Sequence, residues 1–174
     1  MKNIIFIILV LLTSSCTAKM DVQKFVNNKP TLILEEYFGG KTVAWGYFHD
    51  RFGNLQRSFE VNIDGKWDGK ILTLDEDFLY DDGEKQKRIW KIEKMSHNSY
   101  VGEAGDVVGQ ANGFSSGNAL NWSYDLMLEI KGNKIKVKFD DWMFLHERGV
   151  LINRAEISKF GINLGVVTIT FVKL

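Results

Sequence analysis

The chain has one cysteine, Cys16, and one proline, Pro30. With no second cysteine, no intrachain disulfide can form and no cysteine-rich zinc site can be built. His49, His97 and His146 fall at no ligand spacing of the H-x-x-x-H kind, so no metal site and no cofactor is expected. Neither sign of charge dominates, because 22 Lys+Arg face 22 Asp+Glu. No basic stripe or tail stands out, which argues against a nucleic-acid partner. The longest early apolar run, Ile4 to Leu12, is far short of the ~20 residues of a membrane-crossing helix. No internal repeat, low-complexity run or linker divides the chain. Its 174 residues suffice for one domain with a real core, and 12 Phe, 5 Trp and 5 Tyr supply the bulk for packing.

The N-terminus reads MKNIIFIILVLLTSSC. Lys2 gives a positive start, Ile4 to Leu12 an apolar middle, and Thr13, Ser14 and Ser15 a small-residue approach to Cys16, which is the layout of a secretory signal. The segment resembles the lipobox of bacterial lipoproteins, although Thr13 stands where that pattern has an aliphatic residue. The resemblance implies a signal peptide at 1–15, acylation of Cys16 by palmitate-like chains, and attachment to a lipid bilayer. More than one acyl chain makes a stable anchor where one is marginal. Thr17, in place of an aspartate, implies the outer membrane, with the domain on its periplasmic face. Residues 16–28 then read as a lipidated tether with a weak helical pattern at Val22, Phe25 and Val26, and 29–174 as a single β-barrel domain.

Beyond Pro30 the apolar residues recur with period two, the mark of half-buried strands. The clearest hairpin covers 120–145. A Gly132-Asn133 turn of type II′ sets Leu126 opposite Phe139, Leu128 opposite Val137 and Tyr124 opposite Asp141. A second hairpin covers 71–94. Its Asp81-Asp82-Gly83 loop sets Glu76 opposite Arg88, and a one-residue shift would bring Asp77 there instead. Further strands are expected at 42–50, 57–63, 99–104, 107–111, 150–157 and 165–172. Eight to ten short antiparallel strands with tight turns and almost no helix predict an all-β, up-and-down, lipocalin-like barrel, with a two-sheet β-sandwich as the alternative.

The literal G-x-S-x-G at 113–117 lacks the strand-to-helix elbow that its chemistry needs, so it reads as a turn region. In the run Asp75-Glu76-Asp77 the side chains alternate in direction, so the three carboxylates do not converge on a metal. Glu76 shares a face with Leu72, Leu74, Phe78 and Tyr80. If that face is inside, it needs a partner, with Arg88 or Arg57 within reach. That pair either fixes register or orients a ligand's polar head. Asp141 has a similar setting beside Tyr124 and Trp122. Trp45, Trp90, Trp122 and Trp142 are candidates to line a pocket, and Arg51 and Asp106 complete the set of charged groups that could face a ligand.

Several stretches together carry a wider resemblance: AWGYFHDRFGNLQRSF at 44–59, LDEDFLYDDGEKQKRIWKI at 74–92, GQANGFSSGNALNWSY at 109–124, FDDWMFL at 139–145 and NRAEISKFGINLGVVTITF at 153–171. They resemble the bacterial lipoprotein family catalogued as domain of unknown function 3833, over nearly the whole chain beyond the signal. That resemblance implies a lipocalin-like architecture and an envelope lipoprotein, and inclines the ligand toward fatty acids or lipids, but it implies no reaction. Three functions stand: binding of an amphipathic or lipid ligand, a periplasmic enzyme acting on membrane lipid or fatty acid, and a structural envelope lipoprotein. Glu76, Asp106, Asp141 and Arg88 could do acid–base work if one carboxylate had a raised pKa, but no catalytic residue is assigned and binding leads.

Overall fold

The computed structural model describes residues 20–130 and 132–174. The signal at 1–15, Cys16 and the first residues of the tether lie outside the described residues. From Gly40 onward the alternation of apolar and polar residues becomes ten antiparallel strands: β1 (Gly40–Asp50), β2 (Leu55–Trp67), β3 (Ile71–Tyr80), β4 (Lys85–Lys94), β5 (Ser99–Glu103), β6 (Val107–Ser116), β7 (Ala119–Ile130), β8 (Asn133–Leu145), β9 (Val150–Lys159) and β10 (Ile162–Lys173). Each pairs with its sequence neighbours, and β1 pairs with β10 over Thr42–Asp50, so the sheet closes into a barrel. The architecture is that of an up-and-down, lipocalin-like barrel and not a sandwich.

Why this sequence closes is visible in the inward files. Val61 and Ile63 on β2, Leu72 and Leu74 on β3, Leu120 and Trp122 on β7, and Leu151 and Ala155 on β9 are all buried, while their neighbours face water. Trp122 is seated by two glycines. A Cβ at Gly113 or Gly102 would stand 1.9 or 2.5 Å from its ring, so these glycines leave room for the largest side chain in the wall.

The second hairpin has the expected register, with Glu76 opposite Arg88 and Leu74 opposite Trp90. The first does not. Ile130 pairs with Asn133, Leu128 with Ile135, Leu126 with Val137 and Tyr124 with Phe139, two residues away from the register read from Gly132-Asn133. The tight turn therefore falls between Ile130 and Asn133, with Gly132 at φ 78°. A slip of two preserves every side chain's face, which is why hydrophobic alternation could not tell the registers apart. Its consequence is that Asp141 stands opposite Trp122, not Tyr124.

Among the described residues, two short helices precede the barrel. A 3-10 turn, Val22–Phe25, is capped by the Asp21 carboxylate, which accepts from the Gln23 amide at 3.0 Å. Phe25 lies against Trp142 and Phe144, covering the outer wall where β8 leaves two aromatic rings outside. The second helix, α1 (Leu34–Phe38), was not anticipated. Its Leu34, Tyr37 and Phe38, with Leu32 before it, are buried. Tyr37 Oη donates to the Phe171 carbonyl of β10 at 3.0 Å, and Glu35 accepts from Lys94 of β4 and Tyr100 of β5. β10 and β5 lie on opposite sides of the ring, so α1 spans the barrel's end and plugs it. This is the capped end; the loops 51–54, 81–84, 104–106 and 160–161 ring the other.

The plug rests on Gly65, where a Cβ would stand 1.7 Å from the Phe38 carbonyl oxygen. That oxygen is backbone and cannot swing aside. Gly65→Ala therefore lifts α1 and is expected to cost about 2–3 kcal/mol in urea unfolding. Gly105→Ala, with nothing within 4 Å of its Cβ, should cost less than about 0.5 kcal/mol. Equal effects of the two would disprove the seating.

Candidate functional site in the barrel interior

Above the plug the interior is not completely filled. A cavity of about 110 Å³ is lined below by Leu34, Phe38, Leu74, Ile92, Leu120 and Phe171, and around its middle by Glu76, Arg88, Tyr124, Asp141 and Asn153. An apolar floor thus meets a polar belt. Strand parity produces the belt: Glu76 follows Leu72 and Leu74 on the inner face of β3, Arg88 precedes Trp90 and Ile92 on β4, and Asp141 follows Val137 and Phe139 on β8.

Arg88 is the cation of the belt. Its Nε donates to Asp106 Oδ1 at 3.0 Å, and its guanidinium lies 4.6 Å from the Trp90 ring centre. Asp106 comes from the β5–β6 loop, over the side chain of Arg88. The cross-strand neighbour Glu76 makes no direct ion pair with Arg88; it feels that charge only at longer range. Its carboxyl is pushed up to about 7, first by desolvation, against the pull of Arg88 and with a further push from Asp106. Asp141 is likewise pushed up to about 7 by burial, opposed by the Tyr124 hydroxyl, which donates to Asp141 Oδ2 at 3.2 Å, and by Arg88. Burial holds Tyr124 far above the usual phenol range, so it remains a donor. Near neutral pH the belt contains one fixed ion pair and two carboxyl groups on the edge of ionisation.

Three polar atoms on this lining are buried without a hydrogen-bond partner among the described residues: Arg88 Nη2, Asp141 Oδ1 and Asn153 Nδ2. Each such group costs about 1–3 kcal/mol of desolvation unless something meets it. Asn153 was missed from the sequence. The signal was there, since it breaks the apolar file Leu151, Ala155, Ile157 on the inner face of β9 and is 1% exposed.

The residues singled out from the sequence divide into those the barrel brings together and those it does not. Glu76, Arg88, Trp90, Trp122, Tyr124 and Asp141 line the cavity, with Asp106 behind Arg88. Tyr80 and Arg57 sit above the belt: the Arg57 guanidinium stacks 3.5 Å from the centre of the Tyr80 ring and pairs with Asp82 at 3.1 Å. Arg57 therefore does not reach Glu76, because the β3–β4 loop supplies it with nearer carboxylates. Trp45 stands on the outer wall, 43% exposed, with its Nε1 donating to Glu60 at 3.1 Å. Its parity on β1 is opposite to that of buried Ala44. Arg51 lies in the exposed β1–β2 loop over Phe52, away from the cavity. Asp75 and Asp77 point outward and share Lys87 at 2.7 and 3.2 Å. The G-x-S-x-G segment is strand β6 and its turn, with no elbow. No group of three metal-ligating side chains converges among the described residues.

A family model described as "Protein of unknown function (DUF3833)" matches residues 10–173. No curated protein matches the chain.

Proposed function

The chain belongs to the family of unknown function DUF3833, and from its interior we propose that it is a membrane-anchored lipoprotein whose barrel binds an amphipathic, lipid-like ligand. The observation that carries this reading is the set of unpartnered polar atoms on an otherwise apolar cavity. Arg88 Nη2 and Asn153 Nδ2 are donors, and Asp141 Oδ1 is an acceptor when ionised. They fit a head group that both accepts and donates, such as a hydroxyl, an amide or a protonated carboxyl. Arg88 already has Asp106 as a counter-ion, so a second full negative charge is poorly matched unless Glu76 or Asp141 takes up a proton. The floor of Leu34, Phe38, Leu74, Ile92 and Leu120 takes the apolar part.

Size refines the reading. The cavity volume of about 110 Å³ is below the roughly 300–1,000 Å³ of pockets that bury a drug-sized ligand. A long acyl chain enters only if side chains above the belt turn aside, and the aromatic group Phe59, Phe78 and Tyr80 is the obvious one to do so. In this reading residues 1–15 are removed, Cys16 is acylated, and 29–174 form the binding domain at the periplasmic face of the outer membrane.

The test is extraction and mass spectrometry of lipid from protein purified out of membranes, beside an unrelated acylated lipoprotein. One amphipathic species should be enriched several-fold, and Asn153→Leu, which removes a donor and fills space, should deplete it. An extract matching the control, with no thermal stabilisation by any added fatty acid or fatty alcohol, would overturn the proposal. One observation favours a second reading: Glu76 and Asp141 border the same cavity with carboxyl groups near neutrality, the condition for acid–base catalysis. Recovery of an added lipid in chemically altered form, abolished by Glu76→Gln, would favour an enzyme over a carrier.

A further inference from the structure

At the end opposite α1, two hairpin tips present bare aromatic side chains. Phe52 in the β1–β2 loop is 75% exposed, and Phe160 in the β9–β10 turn is 93% exposed. β1 and β10 are neighbours in the ring, and the Arg51 amide donates to the Leu164 carbonyl at 3.0 Å, so the two tips stand side by side. Leu55 and Ile162, next along the same rim, are also exposed.

Phe160 is the more telling. The turn is closed by the Lys159–Ile162 pair, and both central residues have positive φ, 51° at Phe160 and 78° at Gly161. Such two-residue turns favour asparagine, aspartate or glycine at both central positions. A bulky residue in the left-handed region is a strained choice, and at this exposure it recovers nothing by burial. The fold gives no reason for phenylalanine there.

The setting of both rings is cationic. The Arg51 guanidinium lies 4.7 Å from the Phe52 ring centre, and Lys159 Nζ lies 5.5 Å from that of Phe160. Neither cation has a carboxylate partner among the described residues. The nearest acid in sequence, Asp50, is committed to its own loop, accepting from the amides of Phe52 and Asn54 and from Gln56 Nε2. Rings on projecting tips, each beside an uncompensated cation, complement a deformable apolar interior beneath a layer of phosphates.

We infer that these two tips, on the β1–β10 side of the rim, dock on an anionic phospholipid surface. Phe52 and Phe160 enter the interfacial layer, and Arg51 and Lys159 meet lipid phosphates. This contact is separate from acylation at Cys16 and does not depend on what fills the barrel.

Hydrogen exchange on the full chain carrying Cys16→Ser, which cannot be acylated, tests it. The chain is measured alone and with vesicles of phosphatidylethanolamine and phosphatidylglycerol. Amides in 51–54 and 160–162 should exchange several-fold more slowly with vesicles, while the capped-end turns at 68–70 and 117–118 stay unchanged. Phe52→Ser/Phe160→Ser should lose that protection, and high salt should weaken it. Vesicle binding without protection of the two tips would overturn the inference. So would protection that follows protein concentration in the absence of lipid, because it would make the rim a contact between copies of this chain.

Discussion

Glu76→Gln makes the barrel more stable at pH 8 and leaves it nearly unchanged at pH 5. In the folded chain the Glu76 carboxyl titrates near 7, against an ordinary value of 4.5. Asp141 does the same against 3.8. Between the ordinary and the raised values the folded state holds more protons than the unfolded one, so stability falls as pH rises through that window. The penalty is complete once pH exceeds about 7. Glutamine carries no charge to desolvate, so the variant escapes the fall. Asp141→Asn acts in the same direction and keeps an acceptor for Tyr124. Each carboxyl accounts for a decline on the order of 2–3 kcal/mol between pH 5 and pH 8, and the double variant should remove most of a total on the order of 5 kcal/mol. On the acid side the carboxylates held below their ordinary range, Glu35, Asp50, Asp68 and Asp82, lose their stabilisation as pH falls toward 4 and below. A stability maximum near pH 5 follows. Urea midpoints at unit pH steps provide the measurement, and a wild-type curve that rises from pH 5 to pH 8 would refute it.

Arg88→Met should be the most damaging substitution in the belt. It strands Asp106, removes the cation that restrains the carboxyls of Glu76 and Asp141, and leaves the face of Trp90 uncovered. Breaking a buried ion pair on one side costs about 3–5 kcal/mol. Asp106 keeps 27% of its side chain exposed and hydrates in part, which places its share of the loss near the lower limit, about 3 kcal/mol, and at pH 8 the ionised carboxyls of Glu76 and Asp141 add to it. At pH 5 Glu76 and Asp141 are neutral with or without the arginine, so the loss shrinks to that of Asp106 alone. Arg88→Lys restores charge without the fork and should recover only part of the loss. A loss that is the same at both pH values would mean that Arg88 acts by packing and not by charge.

The two hairpins show what was legible and what was not. Period-two patterning places Glu76, Arg88, Trp122, Tyr124 and Asp141 on inner faces correctly, because facing depends only on parity. It could not fix the β7–β8 register, because a two-residue slip keeps parity. It also could not say which charges meet. Arg88 takes its partner from a loop eighteen residues away, while the adjacent Glu76 has none among the described residues. Trp45 failed as a pocket candidate because an aromatic ring on the outer wall of a barrel looks the same in sequence as one inside. Its parity against Ala44 was the available clue. The plug α1 escaped notice because five residues give too short a pattern to show helical period. Its buried positions, Leu34, Tyr37 and Phe38, also fit an alternating strand broken once.

The pairing of β1 with β10 has a consequence for how the chain is made. The first strand cannot find its second neighbour until the last strand has emerged, more than a hundred residues later. At roughly 5–20 residues per second, β1 waits on the order of ten seconds with one ladder edge bare. A chain released before Val166–Lys173 is complete has two open edges in place of none, each a template for pairing with another unfinished copy. The C-terminal strand is thus the step that ends exposure to aggregation. Truncation there should be felt in yield and degradation during export before it is felt in any property of the finished barrel.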